Sequence, residues 1–161
     1  MSKKAKVASH VHGGKRATHA EVSGSKTAKI LDQPENSERQ KPCWQLTLMD
    51  FDGPWGWHLV DRDQLRDEVH SKLKNLESMT WGEIAQAAGG RSQGNNSHFV
   101  SVDKLRRDAR QRLEQIGRED IDELFSIRLT GTCRIWGERD GRVFRVLWYD
   151  PRHEVCPSTA R

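Results

Sequence analysis

All eleven aromatic residues of this chain, six of them Trp, fall between Trp44 and Tyr149, and the first forty-one residues contain none. The apolar members of that leading segment are mostly Ala and Val, scattered among Ser, Thr, Gly, Lys and Glu without helical or strand period. Such a segment cannot bury enough surface to offset the entropy of ordering it. Residues 1–41 are therefore expected to form a disordered basic tail, and residues 42–161 a single domain that opens at Pro42. A body of about 120 residues with this aromatic supply can close one hydrophobic core.

The chain carries a net charge of +4 and has a pI near 9.1. The tail holds nine Lys/Arg against four Asp/Glu, whereas the body holds eighteen against nineteen. The basic excess thus belongs to the tail, which would serve as a weak electrostatic arm or a solubilising leader. No apolar run approaches the roughly 18 residues of a membrane span, and the basic N-terminus leads into no apolar stretch. Three cysteines, Cys43, Cys133 and Cys156, are too few and too scattered for a disulfide scaffold. A cytoplasmic chain with no membrane partner is expected.

Along the body, Trp44–Met49 reads as a short strand with Trp44, Leu46 and Leu48 on one face. Trp55 and Trp57, beside Gly and Pro, read as core plugs with His58 next to them. Asp61 with Gln64 opens a helix whose inward face is Leu65, Val69, Leu73 and Leu76, leaving His70 exposed. Thr80 and Glu83 form a second capping box, for a helix through Ala88 that Gly89-Gly90 stops. Residues 91–97 read as a polar loop, and His98–Val102 as a short strand. A helix from about Asp103 to Ile116 and a helical turn at Asp120–Leu124 follow. Three strands close the chain: Phe125–Leu129, Cys133–Glu138 and Arg142–Tyr149. Asp140-Gly141 suits a type I′ hairpin turn between the last two. The order predicts an α+β domain, a small antiparallel sheet with helices packed on one face.

The C-terminal meander carries the chemistry. Arg128, Arg134, Arg139, Arg142 and Arg145 crowd together, with Arg134, Trp136 and Glu138 on one strand face and Arg152-His153-Glu154 just beyond the last strand. Guanidinium groups bind phosphate in bidentate fashion and rings stack on unpaired bases, so Arg142, Arg145 and Trp136 are candidate RNA contacts. Arginines alternating on an antiparallel sheet also describe an ordinary solvated face. The spacing of His153 and Cys156, with Cys133 as a third donor, suits a metal only weakly. No C-x-x-C companion exists, the cysteines read as small buried hydrophobes, and no metal or other cofactor is expected.

The stretch Ser126–Trp136, followed by Asp140-Gly141, Val143–Trp148 and Arg152-His153, resembles the C-terminal half of RelE/YoeB-type toxins. The resemblance covers roughly a fifth of the chain. It implies a RelE-like fold and an endoribonuclease that cleaves mRNA, on the ribosome in that family, under control of an antitoxin. Residue by residue it implies Arg128 as a phosphate-binding arginine, Arg134 as the main transition-state arginine and His153 as the group acting on the leaving oxygen. Trp136 stands where the family has a tyrosine, and Glu154 where an aromatic follows the histidine. The acidic base has no matched position; Glu83 is offered for it. The alternative is a non-catalytic module of the same fold class that binds protein or nucleic acid. Convergence of Arg134 and His153 on one open concavity separates the two.

Overall fold

The computed structural model describes residues 37–87 and 97–157. Its strands are β1 (Cys43–Gln45), β2 (Ser97–Ser101), β3 (Glu123–Thr130), β4 (Cys133–Asp140) and β5 (Val143–Asp150). They form one sheet in the order β1-β5-β4-β3-β2. The β2–β3, β3–β4 and β4–β5 pairs are antiparallel, and β1 lies parallel to β5, so the sheet is mixed. Helix α1 joins a wide π-helical run, Gln64–His70, to an α-helical one, Ser71–Leu76. Helices α2 (Trp81–Gln86) and α3 (Arg107–Gln115) complete the set, with short 3-10 turns at Trp57–Leu59 and Val102–Lys104. No helix among the described residues is long and apolar enough to cross a membrane.

The α+β class is as the sequence predicts, but the layering differs. Helices α1 and α2 cover one face through Val69, Leu76, Trp81 and Ile84, packed on Phe125, Ile127, Ile135 and Phe144. Helix α3 covers part of the other face through Ala109 and Leu113, packed with Leu124, Trp136, Leu147 and Trp148. The cause lies in β5, which is buried without interruption from Val146 to Asp150, as a strand covered on both sides must be.

A bulge lets β5 serve both cores. Trp136 pairs with Trp148 and Gly137 with Val146, which leaves Leu147 as the extra residue. Leu147 and Trp148 both enter the α3-side core, while Val146 and Tyr149 enter the other. The Leu147 carbonyl accepts from the Asp50 N–H (3.1 Å) and from the Trp57 indole (3.0 Å). Opposite the bulge the strands approach so closely that a Cβ on Gly137 would lie 2.1 Å from the Arg145 carbonyl oxygen.

Asp50, only 7% exposed, ties the segment after β1 to α3. Its carboxylate accepts from Arg112 Nε (2.8 Å) and Nη2 (2.7 Å), from the Trp148 indole (3.0 Å) and from the Asp52 N–H (3.1 Å). The paired Arg112 guanidinium holds its pKa down to about 2, against the opposing effect of burial.

Several predicted boundaries move. β1 ends at Gln45 because a turn closes from the Leu46 carbonyl to the Met49 N–H; Trp44 and Leu48 then pack in different cores and Leu46 is exposed. Helix α3 starts at Arg107, after the 3-10 turn, and the predicted turn at Asp120–Leu124 gives way to β3, where Leu124 pairs with Val100. The Asp61–Gln64 box forms (2.8 and 3.0 Å), but the π-helical winding carries Leu65 out to the surface. Both hairpin loops have two residues, Gly131-Thr132 and Gly141-Arg142. Only the glycine of each has positive φ, 41° and 57°, which is the sign pattern of type II′ rather than I′. The packed body also begins before Pro42. Ser37 is buried, and the Glu38 and Gln40 carbonyls accept the Gly82 and Trp81 N–H groups at the start of α2. The predicted tail up to residue 36, the Gly89-Gly90 stop and the loop through residue 96 lie outside the described residues.

Candidate functional site

Arg128 on β3 and Arg134 on β4 stand directly opposite each other beside the Gly131-Thr132 hairpin, on the α3 face of the sheet. Like charges in that position repel, so something must hold them. The tight loop does, since its Gly131 carbonyl accepts from both Arg128 Nε (3.1 Å) and Arg134 Nη1 (3.0 Å). Arg134 Nη1 also donates to the Cys133 carbonyl (3.0 Å). Among the described residues Arg134 makes no ion pair within 4 Å, and its Nε and Nη2 donors are uncommitted. Burial first, and then the Arg128 charge, lowers the Arg134 pKa.

His153 reaches the same corner by a different route. Asp150 ends β5 opposite Arg134, fully buried. Its carboxylate accepts from the Glu154 N–H (2.8 Å), the Val155 N–H (3.0 Å) and the Trp136 indole (3.2 Å). These bonds close residues 150–155 into a tight turn, which Val155 pins by entering the α3-side core. The turn forces His153 into the left-handed region at φ 59°, the only non-glycine with positive φ among the described residues. A strained non-glycine residue held by over-determined surroundings is a feature of functional sites. Burial pushes the His153 pKa down, Arg134 adds to this, His98 and Arg128 contribute further, and Asp150 opposes.

The sequence reading missed His98 and Ser126. His98 on β2 is exposed and pairs in register with Ser126 on β3, one step along the same face from Arg128. Ser126 is 1% exposed, and its hydroxyl oxygen has no hydrogen-bond partner. A serine in place of an apolar residue between Leu124 and Arg128 was the available signal. The register that pairs it with a histidine was not visible in one dimension.

The remaining predicted residues go elsewhere. Trp136 is 1% exposed and is a core residue, so its ring faces protein rather than a stacking base. Arg145 lies toward the other end of the sheet, opposite Glu138 and about 13 Å along the strand direction from Arg134, beside Glu138 (3.8 Å) and Asp140 (3.5 Å). Arg118 pairs with the same Glu138. Arg142 is exposed in the distant hairpin. Arg139 lies on the opposite face, its guanidinium 4.3 Å from the Trp81 ring centroid and paired with Glu38. Glu83 is spent on the α2 cap with Thr80, on the far side of the sheet from His153. Cys133 also belongs to that far side, so it cannot join His153 and Cys156 around a metal. Among the described residues no group of three His, Cys, Asp or Glu is placed to hold a metal ion.

Arg128 and Arg134, with His98 one step along the face and the His153 turn anchored opposite Arg134, therefore gather at one corner of the α3 face, beside the Gly131-Thr132 hairpin. No protein-family model, curated protein or solved structure matches the chain.

Proposed function

We propose that this corner binds a phosphodiester of RNA and cleaves it, as in an endoribonuclease of the RelE type acting on mRNA and held in check by an antitoxin. The observation that carries the reading is that Arg128, Arg134 and Asp150 stand in one cross-strand row, and the Asp150 carboxylate closes the turn that carries His153. Arg134 meets the phosphate with its uncommitted donors and stabilises the charge of the phosphorane. Arg128 shares the phosphate, and His153 passes a proton to the leaving 5′-oxygen. The two guanidiniums disfavour imidazolium while the site is empty. A bound phosphate offsets their field, so His153 gains its proton as substrate arrives.

The test is induced expression of wild type, Arg134→Ala and His153→Asn, with growth and RNA integrity followed together. Asn tolerates the left-handed backbone at residue 153, so that variant keeps the turn. Arg134→Ala should abolish growth arrest, lowering cleavage by about 10²–10³-fold, while circular dichroism and unfolding midpoint stay unchanged. A wild type that neither slows growth nor cuts RNA on translating ribosomes refutes the reading.

The second reading, a non-catalytic binding module, draws on a different observation. Five cavities at described residues lie elsewhere, and neither Arg134 nor His153 lines any of these five. RNA binding without cleavage, lost in Arg134→Ala, would decide for it.

A further inference from the structure

The ribonuclease reading leaves one role empty, that of the group that removes the proton from the attacking 2′-hydroxyl. Glu83, the acidic residue offered from sequence, is tied up on the wrong face. The strand order supplies another residue. Across the sheet, the turn after β5 brings His153, β4 brings Arg134, β3 brings Arg128 and β2 brings His98. The two arginines therefore stand between the two histidines, all at the hairpin end of the α3 face.

We propose that His98 is the general base of this site, so that RNA is cleaved by a pair of histidines flanking a pair of arginines. The proposal rests on the ribonuclease reading and adds to it a residue and a product. The His98 imidazole takes the 2′-hydroxyl proton as the 2′-oxygen forms its bond to phosphorus. The bond from phosphorus to the 5′-oxygen breaks, and His153 as imidazolium supplies that oxygen's proton. The products are a 2′,3′-cyclic phosphate and a 5′-hydroxyl. One proton is accepted and one donated, so the step needs neither metal nor redox partner.

The placement has physical support beyond the strand order. Three spacings of about 4.8 Å separate the backbones of β2 and β5, and His98 lies one two-residue step off the Arg128–Arg134–Asp150 row, so the diagonal is about 16 Å, a span that two inward-leaning imidazoles and a phosphodiester between them can fill. Ser126 is the second independent feature. Its hydroxyl is buried without a partner directly across from His98. Cross-strand pairs have Cβ atoms about 4.5–5.5 Å apart, which puts an imidazole nitrogen within reach of that hydroxyl when substrate draws the ring inward. An imidazole so held presents its other nitrogen as the base.

The experiment uses the full chain on mRNA-programmed translating ribosomes and on a free oligoribonucleotide, in single turnover between about pH 5 and 8. RNA binding is measured in parallel by fluorescence anisotropy. His98→Gln should lower cleavage by about 10²–10⁴-fold with RNA affinity within about twofold, and should remove the limb of the rate profile that rises with pH. Free imidazole should restore cleavage to His98→Gly, and the wild-type 5′ fragment should end in a cyclic phosphate. His98→Gln cutting within about threefold of wild type, on an unchanged pH profile, overturns the base role and leaves the ribonuclease reading standing. A wild type that cuts neither substrate overturns both.

Discussion

Replacing Asp50 by Asn tests the buried pair that joins the segment after β1 to α3. The carboxylate receives four hydrogen bonds, two of them from one guanidinium. Held at about 2 against an ordinary 3.8, the anion is favoured in the folded state by about 2.5 kcal/mol. That contribution is fully present above the unfolded value and is lost as pH falls from about 4 through about 2. Asn keeps the shape but loses the charge, and its amide N–H₂ turns a donor toward one of the donors it faces. The loss at neutral pH should therefore be about 2.5–4 kcal/mol, the upper part reflecting an Arg112 left half-buried and poorly paired. Urea unfolding followed by Trp fluorescence, on wild type and Asp50→Asn at a series of pH values, isolates the effect. The difference between the two proteins cancels the titration of every other carboxylate. It should shrink steadily below about pH 4. A difference under about 1 kcal/mol at neutral pH, or one that stays constant down to the lowest pH, would refute the reasoning.

Two more outcomes are expected. Gly137→Ala should destabilise the domain by about 3 kcal/mol or more in the same urea assay, because its new methyl would collide with the Arg145 carbonyl at a place where backbone must move. The Cys133 thiol, pushed up to about 11 by burial, should resist alkylation of the folded protein at mildly alkaline pH; mass spectrometry of the modified chain checks this, and rapid labelling at Cys133 would contradict its burial.

The class of fold was readable because the strands after Gly117 announce themselves by turn residues and period. The capping boxes at Asp61 and Thr80 were readable because a cap is a local event. The second face of the sheet was harder to see. A run such as Val146–Trp148 is buried on both sides, and only the bulge, which depends on the partner strand, tells which residue goes where. The arginine crowd misled for the same reason. Neighbours in sequence around a hairpin sit at opposite ends of long strands, so Arg134 and Arg142 part company while Arg134 and Arg128 meet. Trp136 looked like a stacking platform because alternation placed it beside Arg134, and nothing local revealed that α3 lies on top of it. His98 is far from the meander in sequence and joined it only through register.

The extra residue in β5 acts as a parity switch. Counting outward from Phe144, an unbroken strand would send Tyr149 to one side of the sheet and Asp150 to the side of α1 and α2. With Leu147 inserted, the count flips, and Asp150 comes out opposite Arg134. Everything downstream inherits that flip, including the turn that Asp150 closes and the imidazole that the turn carries. Pairing the same residues without the bulge would leave each side chain of the corner in the chain and yet put its acid anchor and its histidine on the wrong side of a wall, whereas removing Leu147 itself would straighten the strand and keep Asp150 opposite Arg134. A whole constellation can thus hang on whether one residue of a strand is counted in its pleat or set aside from it.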